Sequence, residues 1–181
     1  MRNQRSEFST RELRFAELCI HESAHGLAGV VLGGRLRAAS VTGLKTGGPF
    51  RALTTLDPMP LGHDPEVALA GPWSQLRWRH DRRPTQAELY RILEVNRHGD
   101  HAVLLAAGGT AAGSGVIPLL ERCWGPICQL ASKIATTTVV RHADVCAALG
   151  IPAKDNGHDL ALIRGGAAPG SFTVTRPSVP A

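Results

Sequence analysis

The chain has 181 residues, of which 43% are hydrophobic and 19% are charged, and its formal net charge is +5. This length and composition predict one folded domain and exclude an intrinsically disordered chain. The longest apolar run is far shorter than the roughly 20 residues of a membrane span, so we expect a cytoplasmic protein that does not contact a membrane. The four cysteines form no C-x-x-C pair, which favours reduced, mostly buried thiols.

The positive charge is scattered, apart from a cluster formed by Arg77, Arg79, Arg82 and Arg83. A nucleic-acid-binding domain usually concentrates its basic residues and carries a recognisable motif, and this chain shows neither pattern. We therefore interpret the cluster as a solvated helix end, and we do not expect nucleic acid as a partner.

The first predicted element is a long helix that begins at Ser9. Ser9 and Glu12 have the spacing of a capping box, and Gly33 and Gly34 are typical of a helix end. Apolar residues recur between them at helical spacing. They are Leu13, Ala16, Ile20, Ala24, Leu27 and Val31.

Two short β-prone stretches follow, Leu36 to Thr42 and Phe50 to Leu56, and the flexible connection between them predicts a hairpin. Asp64, followed by Pro65 and Glu66, predicts an N-cap and a helix that continues to Arg79. We expect this helix to kink at its Gly71-Pro72 pair.

The rest of the chain is predicted to be mostly helical. A capping box of Thr85 and Glu88 opens one helix toward Asn96, and another helical stretch begins at Asp100. The glycine-rich segment 106–115 is interpreted as a flexible connection, 116–140 as helix with a break at Gly125-Pro126, and 142–149 as a shorter helix. We predict a mainly α fold with a small β-hairpin, one domain over 1–164 and a flexible tail over 165–181.

The segment His21-Glu22-Ser23-Ala24-His25 fits the pattern H-E-x-x-H and lies inside the first helix. Residues four apart on an α-helix lie nearly one above the other, so both imidazoles can bind one ion. Zinc held in this way keeps one position for water, and Glu22 would be the general base that takes a proton from that water. The pattern predicts a zinc-dependent peptidase.

Such a site needs a third protein ligand, and spacing alone does not choose it because the ligand arrives through folding. The candidates are Asp100, His98, His101, His63, Asp64 and Glu66. The predicted capping role of Asp64 weakens its claim, and surface positions are the favoured interpretation of His98 and His101.

Four segments can be compared with a known family: the stretch from His21 to Gly34, the strand 52–56, the Ala-Leu-Ala-Gly-Pro segment 68–72, and Gly99-Asp100. In their order and approximate separation they resemble the peptidase domain of FtsH-type ATP-dependent zinc proteases. The resemblance extends over roughly residues 10–150. The chain departs from the family at Ser23-Ala24, where the family has Ala-Gly, and at Trp73, Ser74 and Gln75, where acidic residues are usual.

The resemblance implies a zincin-like helical metallopeptidase domain with one zinc per chain and Asp100 as the third ligand. Chemistry also favours a carboxylate to complete a two-histidine site. We expect a stand-alone relative that lacks the ATPase module and acts on a peptide or protein substrate. A separate partner or unfoldase and oligomer formation are left open.

The main alternative is a catalytically silent relative that uses the same fold to bind another protein. The presence of all three residues His21, Glu22 and His25 argues against it, because a silent relative has no chemical need for the full set.

Overall fold

The structure is a computed structural model that describes residues 8–95 and 99–171. It is mainly helical, with a small three-stranded antiparallel sheet. The helices are α1 Thr10–Val31, α2 Asp64–His80, α3 Gln86–Val95, α4 Asp100–Ala106, α5 Thr110–Gly113, α6 Ile117–Arg122, α7 Trp124–Thr137, α8 His142–Leu149 and α9 Gly157–Arg164. The strands are β1 Leu36–Thr42, β2 Arg51–Leu56 and β3 Val139–Val140.

Helix α1 is the central element of the fold. Its predicted capping box is confirmed: the Glu12 carboxylate accepts a hydrogen bond from the Ser9 backbone N–H at 2.7 Å, and the Ser9 hydroxyl accepts one from the Glu12 N–H at 3.2 Å. The helix packs against α2, α7 and the hairpin. From Cys19 to Val31 it is buried on every face, not along one apolar stripe as predicted. Its polar side chains in that stretch therefore need partners inside the protein.

The predicted hairpin is confirmed, with β1 antiparallel to β2 and Ala39 opposite Thr54. A third strand, β3, pairs with the other side of β1, so the sheet order is β2-β1-β3 and β2 lies at an edge. The prediction of helix up to residue 140 was wrong at this point. Strand β3 has only two residues, which is too short for an alternating pattern in the sequence.

Helix α2 begins one residue earlier than expected. His63 occupies the N-cap position, and Asp64 is the first helical residue and does not cap the helix with its side chain. Asp64 and Glu66 instead place negative charge in the first turn, where the helix dipole favours it. The helix continues through Pro72 to His80 as one element.

The segment predicted to be a flexible connection, 106–115, contains α5 and the start of a 3-10 turn, Ser114–Val116. Its small residues serve close packing: a side chain on Gly113 would place its Cβ 2.3 Å from the backbone oxygen of Pro65 in α2. The predicted break at Gly125-Pro126 lies instead at Cys123. Pro126 fits inside the first turn of α7, because a helix leaves its first N–H groups without intrahelical partners.

Other predictions had mixed outcomes. The Thr85–Glu88 capping box and helix α8 are confirmed, whereas α9 was not predicted. His98, Asn96 and 172–181 of the expected tail lie outside the described residues. The four cysteines are free, and three of them are buried. Among the described residues, no single helix is long and apolar enough to cross a membrane. One sharply bent pair, Asp100–Ala106 with Thr110–Arg122, reaches that length and composition when taken together.

The arginine cluster 77–83 is paired with carboxylates. Arg77 and Arg83 lie 3.3 and 3.9 Å from Glu121, and Arg82 lies 2.6 Å from Glu88. Arg79 binds Glu17. These arginines share the carboxylates Glu17, Glu88 and Glu121, so the positive charge of this helix end is partly offset by neighbouring acids.

Candidate metal centre

Three side chains from two helices converge at the end of a cavity. His21 and His25 lie on successive turns of α1, with their Nε2 atoms 2.9 Å apart. The Oδ2 atom of Asp100, the first residue of α4, lies 3.2 Å from the first and 3.3 Å from the second. In a tetrahedral zinc site with bonds of roughly 2.0–2.1 Å, neighbouring ligand atoms lie about 3.3 Å apart. The spacing of the three donor atoms is therefore close to that of a zinc site, and the cluster could hold a metal ion.

The two imidazoles are oriented by hydrogen bonds at their other nitrogens. His25 Nδ1 lies 2.7 Å from the backbone oxygen of Val67, and His21 Nδ1 lies 3.2 Å from Oε1 of Gln75. Carbonyl oxygens only accept hydrogen bonds, so each Nδ1 carries the proton and donates it. Each Nε2 can then offer its lone pair to a metal ion, as metal-binding histidines do.

Gly71 of α2 forms the wall behind the two histidines. A Cβ at this position would lie 2.3 Å from His25 Nε2 and 2.7 Å from His21 Nε2. The backbone of α2 therefore approaches the donor atoms more closely than any side chain would allow. The sequence associated Gly71 with a helix kink and with the segment 68–72 of the family resemblance. In the structure, the absence of a side chain at Gly71 leaves room for the two ligand nitrogens.

Asp100 and His25 form an ion pair when a proton, not a metal, occupies the site. Burial alone would lower the pKa of His25, but the charge and hydrogen bond of Asp100 outweigh it and raise that pKa to about 9. Burial would likewise raise the pKa of Asp100, but His25 and His21 hold it well below its usual range. Protons and a metal cation therefore compete for the same donor atoms.

We expect protein stripped of metal by a chelator to lose stability as the pH rises from about 6.5 to about 9. A group whose pKa is raised by folding stabilises the folded state while it is protonated, and this contribution is lost as the pH passes the folded-state value. With saturating zinc the trend should reverse below neutrality, because protons then displace the metal. Urea unfolding from about pH 5 to about pH 9, with chelator or with zinc, measures both slopes. The same pH dependence in both conditions would contradict the shared site.

Glu22 lies beside the cluster, on the wall of a cavity of about 880 Å³ that also exposes His21, His25 and Asp100. Its carboxylate is oriented by Thr54 of β2, whose hydroxyl lies 2.6 Å from Oε2. The same hydroxyl is 3.1 Å from the Glu22 backbone oxygen. The hairpin thus fixes the position of Glu22 relative to the two histidines on the same helix.

The other candidate ligands do not join the cluster. His63 and Glu66 pair with each other at the start of α2, and Asp64 lines the cavity without reaching the donor atoms. His101 follows Asp100 on α4 and is not one of the clustered residues, and His98 lies outside the described part of the chain. The structure therefore brings together His21, His25 and Asp100.

Sequence reasoning missed the residues that support the site from α2 and β2, namely Val67, Gly71, Gln75 and Thr54. One signal for two of them was present. Gly71 and Gln75 are four residues apart, which is the same spacing as His21 and His25, so each pair lies on one face of its helix. That spacing indicates facing helices only when the two helices are known to pack together.

No family model, curated protein or solved structure matches this chain. What the site can do therefore follows from its own residues and their geometry.

Proposed function

We propose that this protein is a zinc-dependent peptidase that resembles the FtsH-type peptidase domain and hydrolyses peptide bonds within extended segments. One observation carries the proposal. Two imidazole nitrogens and one carboxylate oxygen converge on a point that opens into a large cavity, with a buried glutamate beside them. A ligand set of two histidines and one carboxylate leaves a coordination position for water, as catalytic zinc sites do and structural sites do not.

The residues of the chain would divide the work as follows. His21, His25 and Asp100 would hold the zinc, which would act as a Lewis acid and lower the pKa of a water molecule toward roughly 7. Glu22 takes the proton from that water and later donates it to the departing amine. Thr54 holds the Glu22 carboxylate in place through its hydroxyl. Residues of β2 line the same cavity, and no strand in the described part of the chain pairs with the outer side of β2.

The cavity wall supports a peptide as substrate. Apolar side chains line it beside the polar cluster, and they include Leu53, Leu56, Met59, Val67 and Val103. Leu53 of β2 is 64% exposed, so this edge strand presents an apolar side chain to solvent at the cavity. An extended peptide can pair with such an edge and place alternate side chains against an apolar wall.

We expect purified protein to bind one zinc per chain and to lose it when His21, His25 or Asp100 is changed to alanine. Each substitution removes one of three donors, so affinity should fall by well over the roughly 10–100-fold typical of outer residues. Metal analysis after dialysis against zinc measures the stoichiometry, and circular dichroism checks the fold.

His101→Ala is the matched control, because His101 is the neighbour of Asp100 and lies outside the cluster. Full zinc occupancy in the Asp100→Ala variant, or loss of zinc in the His101→Ala variant, would contradict the assigned ligand set. Wild-type protein that binds no zinc after reconstitution would overturn the proposed function as a whole.

A further inference from the structure

A ladder of polar side chains runs along the interface between α1 and α2. Glu17 and His21 lie one turn apart on α1, and Gln75 and Arg79 lie one turn apart on α2. Gln75 contacts both α1 residues, at 3.2 Å from His21 and 3.1 Å from Glu17, and Arg79 contacts Glu17. As the residue numbers rise on α1 they fall on α2, so the two helices run antiparallel.

The ladder fixes which way the Gln75 amide points. Glu17 is ionised and can only accept hydrogen bonds, so the amide NH₂ faces Glu17 and the amide oxygen faces His21 Nδ1. Gln75 is 1% exposed and Glu17 is 8% exposed, which leaves water little access to replace either bond. A buried amide in the reverse orientation would place a donor against the Nδ1 proton and an acceptor against a carboxylate.

The far end of the ladder is anchored by charge. Arg79 binds both oxygens of Glu17 at 2.7 Å, and Arg14 lies 3.3 Å from one of them. Burial would raise the pKa of Glu17, but Arg79 outweighs it and the pKa is lowered. Bidentate arginine–carboxylate pairs are geometrically specific, so the carboxylate that orients Gln75 is itself held rigidly.

We propose that Gln75, Glu17 and Arg79 are positioning residues that hold His21 in the tautomer with its proton on Nδ1 and its free Nε2 directed at the metal. The inference rests on the metal site of the proposed function and does not depend on peptide hydrolysis. Because His25 is oriented by a backbone oxygen that no substitution removes, His21 is the ligand whose orientation depends on side chains. The metal site is therefore sensitive to substitutions one and two turns away from it.

The test compares zinc affinity, measured by competition with a chelator, and the ring nitrogen through which His21 binds zinc, measured by nitrogen NMR on zinc-loaded protein, because zinc on Nε2 leaves the proton on Nδ1. Gln75→Leu should weaken zinc binding by roughly 10–100-fold, the usual effect of losing an outer hydrogen bond to a ligand. Ser74→Ala is the control, because Ser74 is the buried neighbour on the same helix and its hydroxyl has no partner among the described residues. This control should bind zinc like wild type.

The decisive variant exchanges the two side chains, with Glu17→Gln and Gln75→Glu in one protein. A carboxylate at position 75 accepts from His21 Nδ1 and from the new amide at position 17, so both hydrogen bonds of residue 75 keep a donor and an acceptor, while Arg79 keeps one of its two bonds to residue 17. Zinc affinity and the Nδ1-protonated tautomer should return to within a few-fold of wild type. The single Glu17→Gln variant should be intermediate, because its amide no longer fixes the orientation of Gln75.

Wild-type affinity and tautomer in a folded Gln75→Leu protein would overturn the inference and leave the zinc site intact. If Gln75→Leu does not fold, the test uses the exchanged variant with Glu17→Gln and Gln75→Glu. An exchanged variant that folds but binds zinc weakly also overturns the inference. If the exchanged variant recovers zinc affinity but wild-type protein cleaves no peptide, the positioning role is supported and the proposed function is contradicted. Wild-type protein that binds no zinc would overturn both.

Discussion

Replacing Glu22 with glutamine should leave zinc bound and reduce peptide hydrolysis by at least about 100-fold, the lower end of what a general base contributes. The amide keeps the shape of the side chain and can still accept the hydrogen bond from Thr54, but it cannot take a proton from water. Glu22 is not one of the three clustered donors, so metal content should stay at the wild-type level. Cleavage of a peptide library, with the zinc content of the same samples, measures both quantities.

Asp64→Asn is the matched control for this prediction. Asp64 is another carboxylate on the wall of the same cavity, and it belongs neither to the metal cluster nor to the Thr54 contact. The control should retain most of the activity, which separates the loss of a base from the loss of negative charge in the cavity. Near wild-type turnover by the Glu22→Gln protein would show that another group takes the proton.

Changing Gly71 to alanine should remove the metal while leaving the fold in place. The new Cβ would lie 2.3 Å from His25 Nε2 and 2.7 Å from His21 Nε2, so the ligands must move apart or lose the ion. We expect zinc affinity to fall by at least about 100-fold, the upper end of outer-residue effects, because one methyl group displaces two ligands. Peptide hydrolysis should be lost with the metal.

Helix stability cannot account for such a loss, because alanine is favoured over glycine within a helix by roughly 0.5–1 kcal/mol. Gly125→Ala in α7 serves as the control: nothing lies within 4 Å of a Cβ placed there, and zinc binding should be unchanged. Chelator competition and thermal unfolding on both variants complete the comparison. A Gly71→Ala protein that binds zinc like wild type would mean that α2 does not border the ion.

Local signals in the sequence predicted much of the fold. Capping boxes at Ser9 and Thr85 gave the starts of α1 and α3, because each satisfies backbone N–H groups within four residues. The paired histidines were predicted from helical spacing alone, since α1 forms a continuous helix around them. Both predictions depend on interactions within one or two helical turns, which the sequence displays directly.

The rest depends on contacts between distant segments. Six residues were candidates for the third donor, and Asp100 reaches the histidines because α4 packs against α2, an arrangement with no local signature. In the sequence, Gln75 differs from the acidic residues usual at this point in the FtsH-type pattern. Its contacts with Glu17 and His21 become visible only when α1 and α2 are packed together.

The polar ladder between α1 and α2 also fixes the axial register of the two helices. A shift of one turn in one direction would bring Arg79 level with His21 and place a guanidinium against the metal ligands. A shift in the other direction would leave the buried carboxylate of Glu17 without Arg79. Both shifts are strongly unfavourable, whereas small and branched apolar side chains could adapt to either. Two helices that packed only through such apolar side chains would tolerate several registers. The polar ladder between α1 and α2 favours a single register.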